Sequence, residues 1–168
     1  MPTADLDLSI RPATAHDAAP LCAILNRIIA IGGTTAFETP LSPAQFDAAF
    51  LSGDDYVLCL MAETAGGEAL GFQSLVAKLD LPAGWADIAT FTQREPRTPG
   101  VGAALFEATK RAARGLGLAA INATIRADNY TGIPYYEKMG FETWRVAQAV
   151  PLRDGTPVDR VSKVYRLA

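Results

Sequence analysis

Residues 93–106, QREPRTPGVGAALF, place two glycines one residue apart directly before an apolar helical pattern. A helix that begins at such a turn presents unpaired backbone N–H groups and the positive end of its dipole. Gly100 and Gly102 lack a Cβ, which lets the backbone come close to a bound group. The turn therefore predicts a phosphate site at the start of a helix. For an isolated G-x-G, a tight connection between a strand and a helix is the better interpretation, because such matches are common.

Two familiar phosphate motifs do not match this turn. A dinucleotide fingerprint needs a third glycine where Leu105 stands, a strand directly before the turn and an acidic ribose partner beyond it. A P-loop needs Gly-Lys-Ser/Thr after the glycine-rich stretch, and Gly-Ala-Ala follows here. The phosphate site must belong to another class of protein.

Composition limits the class further. The 168 residues are 49% hydrophobic and 20% charged, which predicts one globular domain over residues 1–168. The formal charge of −3 and the absence of a basic run argue against nucleic-acid binding. Cys22 and Cys59 show no metal or redox spacing, so we expect both to be buried and no metal to be bound. No membrane span or signal peptide is evident, and we interpret the protein as cytoplasmic.

The patterns predict a mixed α/β order. Strands are predicted over residues 8–12, 55–63, 69–79, 85–92, 118–125, 141–147 and 160–167. Helices are predicted over residues 14–30, 42–50, 101–114 and 132–140. The first helix has a capping box of Thr14 and Asp17. Its apolar stripe is Leu21, Ile24, Leu25, Ile28 and Ile29, and the helix from residue 101 has one at Val101, Leu105, Ala108 and Ala112.

Two separate motifs carry a family resemblance. RTPGVG, residues 97–102, resembles the R-x-x-G-x-G/A loop of the GNAT acyl-CoA N-acyltransferase superfamily. NYTGIPYYEKMGF, residues 129–141, resembles that family's N-x-x-A-x-x-x-Y-E-K-x-G-F segment. The stretches IRPATAHDA and TTAFETP are similar to the phosphinothricin acetyltransferase-like branch. The resemblance implies a mixed, mostly antiparallel sheet of seven strands, splayed between strands 4 and 5, with about four helices.

The resemblance also implies acetyl-CoA as co-substrate, and it places the contacts. The backbone of Phe91 and Thr92 is expected to pair with the pantetheine arm, Asn129 to contact its side, and Tyr136 to face the sulfur. The pyrophosphate is expected on the loop of Arg97, Thr98, Pro99, Gly100, Val101 and Gly102. Relatives usually have glycine and a basic residue at 98 and 99. Proline offers no N–H, so this loop has one phosphate donor fewer.

Two residues are candidates for proton transfer. Tyr136 suits a general acid toward a departing thiolate, because a phenol has an ordinary pKa near ~10. A core role beside Tyr135 is the alternative. Asp87 is an acidic residue in the otherwise apolar segment WADIATFT, where a carboxylate must be paired, solvated or functional. We expect it either to take the proton of the amine or to bind that amine, and pairing with Arg126 is the structural alternative.

Phe37 and Glu38 lie in a loop that covers the acceptor site in similar proteins, which makes them candidate substrate contacts. No serine or cysteine has a nucleophile motif around it, so direct transfer in a ternary complex is expected. The predicted function is acetyl transfer from acetyl-CoA to the primary amine of a small molecule, an amino acid or an analogue of one. A non-catalytic acyl-CoA-binding module and a protein or peptide N-acetyltransferase are the alternatives. The resemblance implies a homodimer.

Overall fold

The computed structural model describes residues 7–168, in which seven strands form one sheet and four α-helices flank it. The strands are β1 (Leu8–Pro12), β2 (Tyr56–Thr64), β3 (Ala69–Val76), β4 (Trp85–Thr92), β5 (Ala120–Arg126), β6 (Glu142–Pro151) and β7 (Pro157–Arg166). The helices are α1 (Ala18–Ile31), α2 (Pro43–Phe50), α3 (Val101–Gly115) and α4 (Gly132–Lys138). In the part of the chain described here, no helix is long and apolar enough to cross a membrane.

The sheet has the strand order β1-β2-β3-β4-β5-β7-β6, and every neighbouring pair except β4–β5 is antiparallel. The parallel pair is short. It joins residues 85–87 of β4 to residues 120–122 of β5, and the two strands then separate. Beyond Asp87, β4 continues to Thr92 with β3 as its one strand partner among the described residues. The predicted mixed sheet with a splay between strands 4 and 5 is confirmed.

The two faces of the sheet have separate cores. Helices α1 and α2 cover one face, where Phe46 and Phe50 pack against Phe72 and Phe91 with ring centroids 5.0 to 6.3 Å apart. Helices α3 and α4 cover the other face over Leu75, Ala86, Ile88 and Ile121. Because side chains alternate along a strand, Asp87 and Phe91 face the α1 side, while Ile88 and Thr90 face the α3 side.

The predicted apolar stripe of α1 is confirmed, since all five of its residues are buried. The stripe of α3 is only half right. Val101 and Leu105 are buried as predicted, whereas Ala108 and Ala112 are half-buried, and Phe106, Thr109 and Ala113 are buried in their place. The face of α3 that carries Phe106 is buried, because that ring packs between those of Phe141 and Tyr165, with its centroid 5.2 Å from each of theirs.

Strand β3 ends earlier than predicted. The pattern extended it to residue 79, but the strand stops at Val76. The N–H of Leu81 donates to the carbonyl of Lys78 at 3.2 Å, which turns the chain away from the sheet. Leu79 is fully exposed in this turn. Lys78 therefore lies in the connection between β3 and β4 rather than inside a strand.

The predicted capping box forms, although it opens a short 3-10 turn, Ala15–Asp17, directly before α1. The Asp17 carboxylate accepts from the N–H of Thr14 at 2.7 Å and from the Arg11 guanidinium at 2.8 and 2.9 Å. Arg11 also donates to Glu63 at 2.9 Å, so one guanidinium joins β1, β2 and the start of α1. The hydrogen bonds from Arg11 lower the pKa of the Asp17 carboxyl to about 2.

A carboxyl group with a lowered pKa stabilises the fold above its unfolded pKa near ~3.9, and that stabilisation is lost as the pH falls toward 2. We expect Asp17→Asn to lower the free energy of unfolding by about 1–2 kcal/mol at pH 7, an amount discounted because Arg11 is partly exposed. The difference from wild type should shrink as the pH is lowered to about 3. Urea denaturation at several pH values measures it. Asp54→Asn is the matched control, because Asp54 is exposed and forms no ion pair among the described residues. A pH-independent difference for Asp17→Asn would refute the linkage.

Candidate active site

A cavity of about 760 Å³ opens where β4 leaves β5. It extends from Asp87, at the last residue pair of the two strands, along β4 to the first turn of α3. Most of its lining residues lie in five parts of the chain, within residues 34–37, 87–94, 97–103, 124–126 and 129–139. The others are Ile28, Ala49, Phe50, Ser74, Val76 and Lys78. The splay thus creates a groove that connects the centre of the sheet with a helix N-terminus.

The glycine-bracketed turn lies at one end of this groove. Gly100 has φ +85°, a left-handed conformation that non-glycine residues rarely adopt, and it is the N-cap of α3. Arg97, Thr98, Gly100 and Gly102 line the cavity, whereas Pro99 is not among its lining residues. Arg94 lines the cavity as well, so two arginine residues border it in the segment that precedes α3. This end of the groove suits an anion.

Gly102 is required for a reason that sequence analysis missed. A Cβ built on Gly102 would lie 2.8 Å from Cε2 of Tyr135, closer than real Cβ contacts. The Tyr135 hydroxyl donates to the Gly102 carbonyl at 2.7 Å and so ties α4 to the first turn of α3. The second glycine of the motif therefore makes room for a tyrosine ring from the second motif.

Tyr136 faces the middle of the groove from α4. Its hydroxyl lies 2.9 Å from the Thr90 hydroxyl, which also accepts from the Gln73 side-chain amide at 2.9 Å. Burial raises the pKa of the Tyr136 phenol above its ordinary value. The side chain therefore stays protonated at neutral pH, and either hydroxyl of the Tyr136–Thr90 pair can be the donor. Its ring also packs on Tyr135 and Phe141 at 4.9 and 5.1 Å, so the core role considered for it is present as well.

Asp87 lies at the inner end of the groove with both carboxylate oxygens bonded. Oδ1 accepts from the side-chain amide of Asn122 at 2.7 Å, and Oδ2 lies 2.9 Å from Nζ of Lys78. The alternative that Asp87 pairs with Arg126 is not what the structure shows. Arg126 instead pairs with Asp128 at 2.7 Å and donates to the carbonyl of Thr35. Asp87 is buried but borders the cavity, and its counter-ion comes from the exposed turn after β3.

Asn122 and Trp144 are site residues that sequence analysis missed. The indole N–H of Trp144 donates to Oδ1 of Asn122 at 2.8 Å. An indole nitrogen is only a donor, so Asn122 must direct its amide NH₂ at Asp87, which accepts. Asn122 is fully buried, and its register partner across the parallel pair is Asp87 itself. A polar residue inside the apolar segment LAAINATI was the available signal, but only the strand register connects it to Asp87.

Asn129 lines the cavity, and its side chain forms hydrogen bonds with other residues of the protein. Its Oδ1 accepts from the backbone N–H of Gly132 at 2.8 Å, and its amide donates to the carbonyl of Thr34 at 3.1 Å. The side chain therefore holds the first turn of α4 and the loop that precedes α2. Phe91 and Thr92 also line the cavity from β4. Their contacts with a pantetheine arm stay predictions.

The loop after α1 separates its two candidate residues. Phe37 lines the cavity, with its ring 6.5 Å from that of Phe91 and 5.8 Å from that of Phe50. Glu38 is not among the lining residues. Its carboxylate accepts from the backbone N–H of Arg153 at 2.9 and 3.2 Å, in the loop between β6 and β7. Glu38 thus fastens the loop to the hairpin on the far side of the groove.

Comparison with known proteins agrees with this architecture. Residues 26–141 match the model of the Acetyltransferase (GNAT) family. "Putative phosphinothricin acetyltransferase YwnH" of Bacillus subtilis (strain 168) is 26% identical over 154 residues, which cover 90% of this chain and 94% of that protein. A crystal structure described as a putative phosphinothricin N-acetyltransferase has a TM-score of 0.83 and 26% identity, over 96% of this chain and 99% of that one.

A second similar structure was solved with a ligand. The GNAT superfamily phosphinothricin acetyltransferase (Pat) from Sinorhizobium meliloti, solved in complex with AcCoA, has a TM-score of 0.82 and 21% identity, over 96% of this chain and 89% of that one. The splayed sheet, the groove and the family match define an acetyltransferase. The chain belongs to the Acetyltransferase (GNAT) family, and the resemblance identified from its two motifs is confirmed.

The contact between Gly102 and Tyr135 predicts that a side chain at position 102 destabilises the protein. We expect Gly102→Ala to lower the free energy of unfolding by about 1–3 kcal/mol, because the added methyl overpacks against the tyrosine ring. Gly115→Ala is the matched control at the other end of the same helix, where nothing lies within 4 Å of an added Cβ. Chemical denaturation measures both variants. Adding Tyr135→Ala to Gly102→Ala should cost less than the sum of the two single changes. Additive costs would show that the ring is not what excludes a side chain.

Proposed function

We propose that the protein transfers the acetyl group of acetyl-CoA to the primary amine of a small molecule, an amino acid or an analogue of one. The observation that carries the proposal is the groove between β4 and β5, which joins a glycine-capped helix N-terminus to a buried carboxylate. The similarity to proteins described as phosphinothricin acetyltransferases supports the choice of a small amine. The cytoplasmic location and the homodimer stay predictions.

The groove fits the parts of acetyl-CoA. The start of α3 offers free N–H groups and a dipole to the pyrophosphate, and Arg97 adds a positive charge there. Beyond Asp87, the edge of β4 that faces β5 has no strand partner within residues 7–168. Its backbone at Phe91 and Thr92 is therefore free to pair with the pantetheine amides as an added strand pairs. When bound, acetyl-CoA supplies an acetyl group activated as a thioester.

We propose that the acceptor amine binds at Asp87. A primary amine reaches the site as an ammonium ion, and a carboxylate both binds that cation and takes its proton. Asn122 and Trp144 keep Asp87 directed at the groove as an acceptor. The similarity to proteins described as phosphinothricin acetyltransferases is why a free amine is preferred to a peptide segment as acceptor.

We propose that Tyr136 gives a proton to the departing sulfur. Asp87 and Thr90 are three residues apart on β4, roughly 10 Å along the strand, and point to opposite faces of the sheet. The carboxylate and the Tyr136–Thr90 hydroxyl pair therefore approach the groove from different sides. This separation lets a proton be taken from the amine on one side and given to the sulfur on the other.

Thermal unfolding tests the co-substrate first. Acetyl-CoA at a hundred times its dissociation constant should add ~2.7 kcal/mol, or several degrees, to the stability of a domain of this size. NADH should give no shift. Arg97→Ala should reduce the shift with acetyl-CoA. Arg111→Ala should leave the shift unchanged, because Arg111 is an exposed residue of α3 outside the cavity lining.

No thermal shift with acetyl-CoA would refute the proposed function. A shift without turnover of any amine would favour a non-catalytic acyl-CoA-binding module, and turnover of peptides alone a protein N-acetyltransferase.

Tyr136→Phe tests the proton donor. We expect acetyl transfer to slow by about 10²-fold or more, the usual range for general acid catalysis, with acetyl-CoA affinity nearly unchanged. Tyr135→Phe is the matched control, since it removes a second hydroxyl from the same hydrogen-bonded cluster. Steady-state kinetics with the best amine of a panel, together with acetyl-CoA titration, separate the two effects. Equal turnover of the Tyr136→Phe variant and wild type would remove the acid role.

A further inference from the structure

Lys78 is a primary amine that already occupies the position proposed for the acceptor. Its Nζ lies 2.9 Å from Oδ2 of Asp87, and both residues line the groove. The lysine belongs to the turn after β3, and its side chain is 46% exposed. An exposed four-carbon stem on a turn leaves the amine free to leave the carboxylate and return. The same chemistry that binds an acceptor ammonium therefore binds Lys78.

The other lysines of the chain differ from Lys78 in their surroundings. The full set is Lys78, Lys110, Lys138 and Lys163. Lys110 pairs with Glu107 over the ring of Phe106, outside the cavity lining. Lys163 is 5% exposed and is held by Glu137 and Thr143. Lys138 is exposed and borders the groove from α4, but no ion pair joins it to a carboxylate among the described residues. Among these four lysines, only Lys78 combines a place in the groove with a partly exposed side chain and an ion pair to a carboxylate of the groove.

We propose that the protein acetylates its own Lys78 when acetyl-CoA is bound and no acceptor amine is present. The inference rests on the proposed function, because it uses the same co-substrate and the same carboxylate. The Lys78 ammonium gives one proton to Asp87, and the neutral Nζ forms a bond to the acetyl carbonyl carbon. The carbon–sulfur bond breaks, and the sulfur leaves as a thiol with a proton from Tyr136. The nitrogen then loses its second proton, which restores the Tyr136 hydroxyl through solvent. The products are an Nε-acetyl-lysine amide, free CoA and one proton, which Asp87 releases to solvent, so atoms and charge balance.

Self-acetylation and the acceptor reaction compete for the same carboxylate, that of Asp87. An acceptor ammonium must displace Lys78 from Asp87, so a saturating acceptor should protect Lys78. Once acetylated, the side chain carries no charge and cannot pair with Asp87. Asp87 would keep its hydrogen bond from Asn122, and its second oxygen would become free. The modification thus alters the acceptor side of the groove without touching the helix N-terminus.

The experiment follows acetylation at each lysine by peptide mass spectrometry. The full-length protein is incubated with acetyl-CoA that carries a deuterated acetyl group, which separates new acetylation from any acquired in the host cell. We expect Lys78 to be labelled at least ~10-fold faster than Lys138, because a tethered amine beside a base reacts as an intramolecular group. Denatured protein gives the reactivity of each lysine without the fold. The labelling of Lys78 should slow when a saturating acceptor is added.

Two variants sharpen the result. Asp87→Asn should reduce the labelling of Lys78 to the rate of Lys138 and leave Lys138 unchanged. Lys78→Arg keeps a cation beside Asp87 and should abolish labelling at this position while the thermal shift with acetyl-CoA is retained. Equal labelling of Lys78 and Lys138, or equal labelling of Lys78 in native and denatured protein, would overturn the inference. An acetyl-CoA shift with amine turnover but no Lys78 label refutes this inference alone, whereas no shift refutes the proposed function.

Discussion

The short parallel contact between β4 and β5 is the constraint on which the rest of the site depends. Residues 85–87 pair with residues 120–122, and the strands then separate. Pairing holds the two halves of the sheet together, while the separation leaves a strand edge and a groove inside the molecule. Had the strands stayed paired through Thr92, the backbone edge would be satisfied and the groove closed. Asp87 is the last paired residue of β4, which is why it lies at the inner end of the cavity.

Much of the fold could be predicted from local patterns. Alternation and helical periodicity predicted all seven strands and four helices, and the predicted stripe of α1 is buried in full. The two misses have different physical causes. Helix α3 is oriented by the packing of Phe106 between two rings from other elements, which no short window of sequence shows. Strand β3 ends at a local turn, in which the N–H of Leu81 donates to the carbonyl of Lys78, although the apolar pattern continues to residue 79.

The site shows the same division. Residues carried by motifs, such as Gly100 and Tyr136, line the predicted groove because a motif encodes a local turn or helix. The partners of Asp87 were not predicted. Asn122 and Lys78 reach it from a neighbouring strand and from a turn, so their contacts follow from the register of the sheet. Gly102 was predicted as a place where the backbone comes close to a bound group, and the structure shows a tyrosine ring beside it.

The contact of Glu38 with the β6–β7 loop has a consequence for how the protein can diverge. The donor is the backbone N–H of Arg153, not its guanidinium. Every residue except proline provides that N–H. Position 153 can therefore accept most substitutions while the hydrogen bond that holds the Glu38 loop is retained. Related chains would then preserve this contact without paired changes at the two positions. Methods that infer contacts from correlated substitutions would not find the tie between the loop and the hairpin.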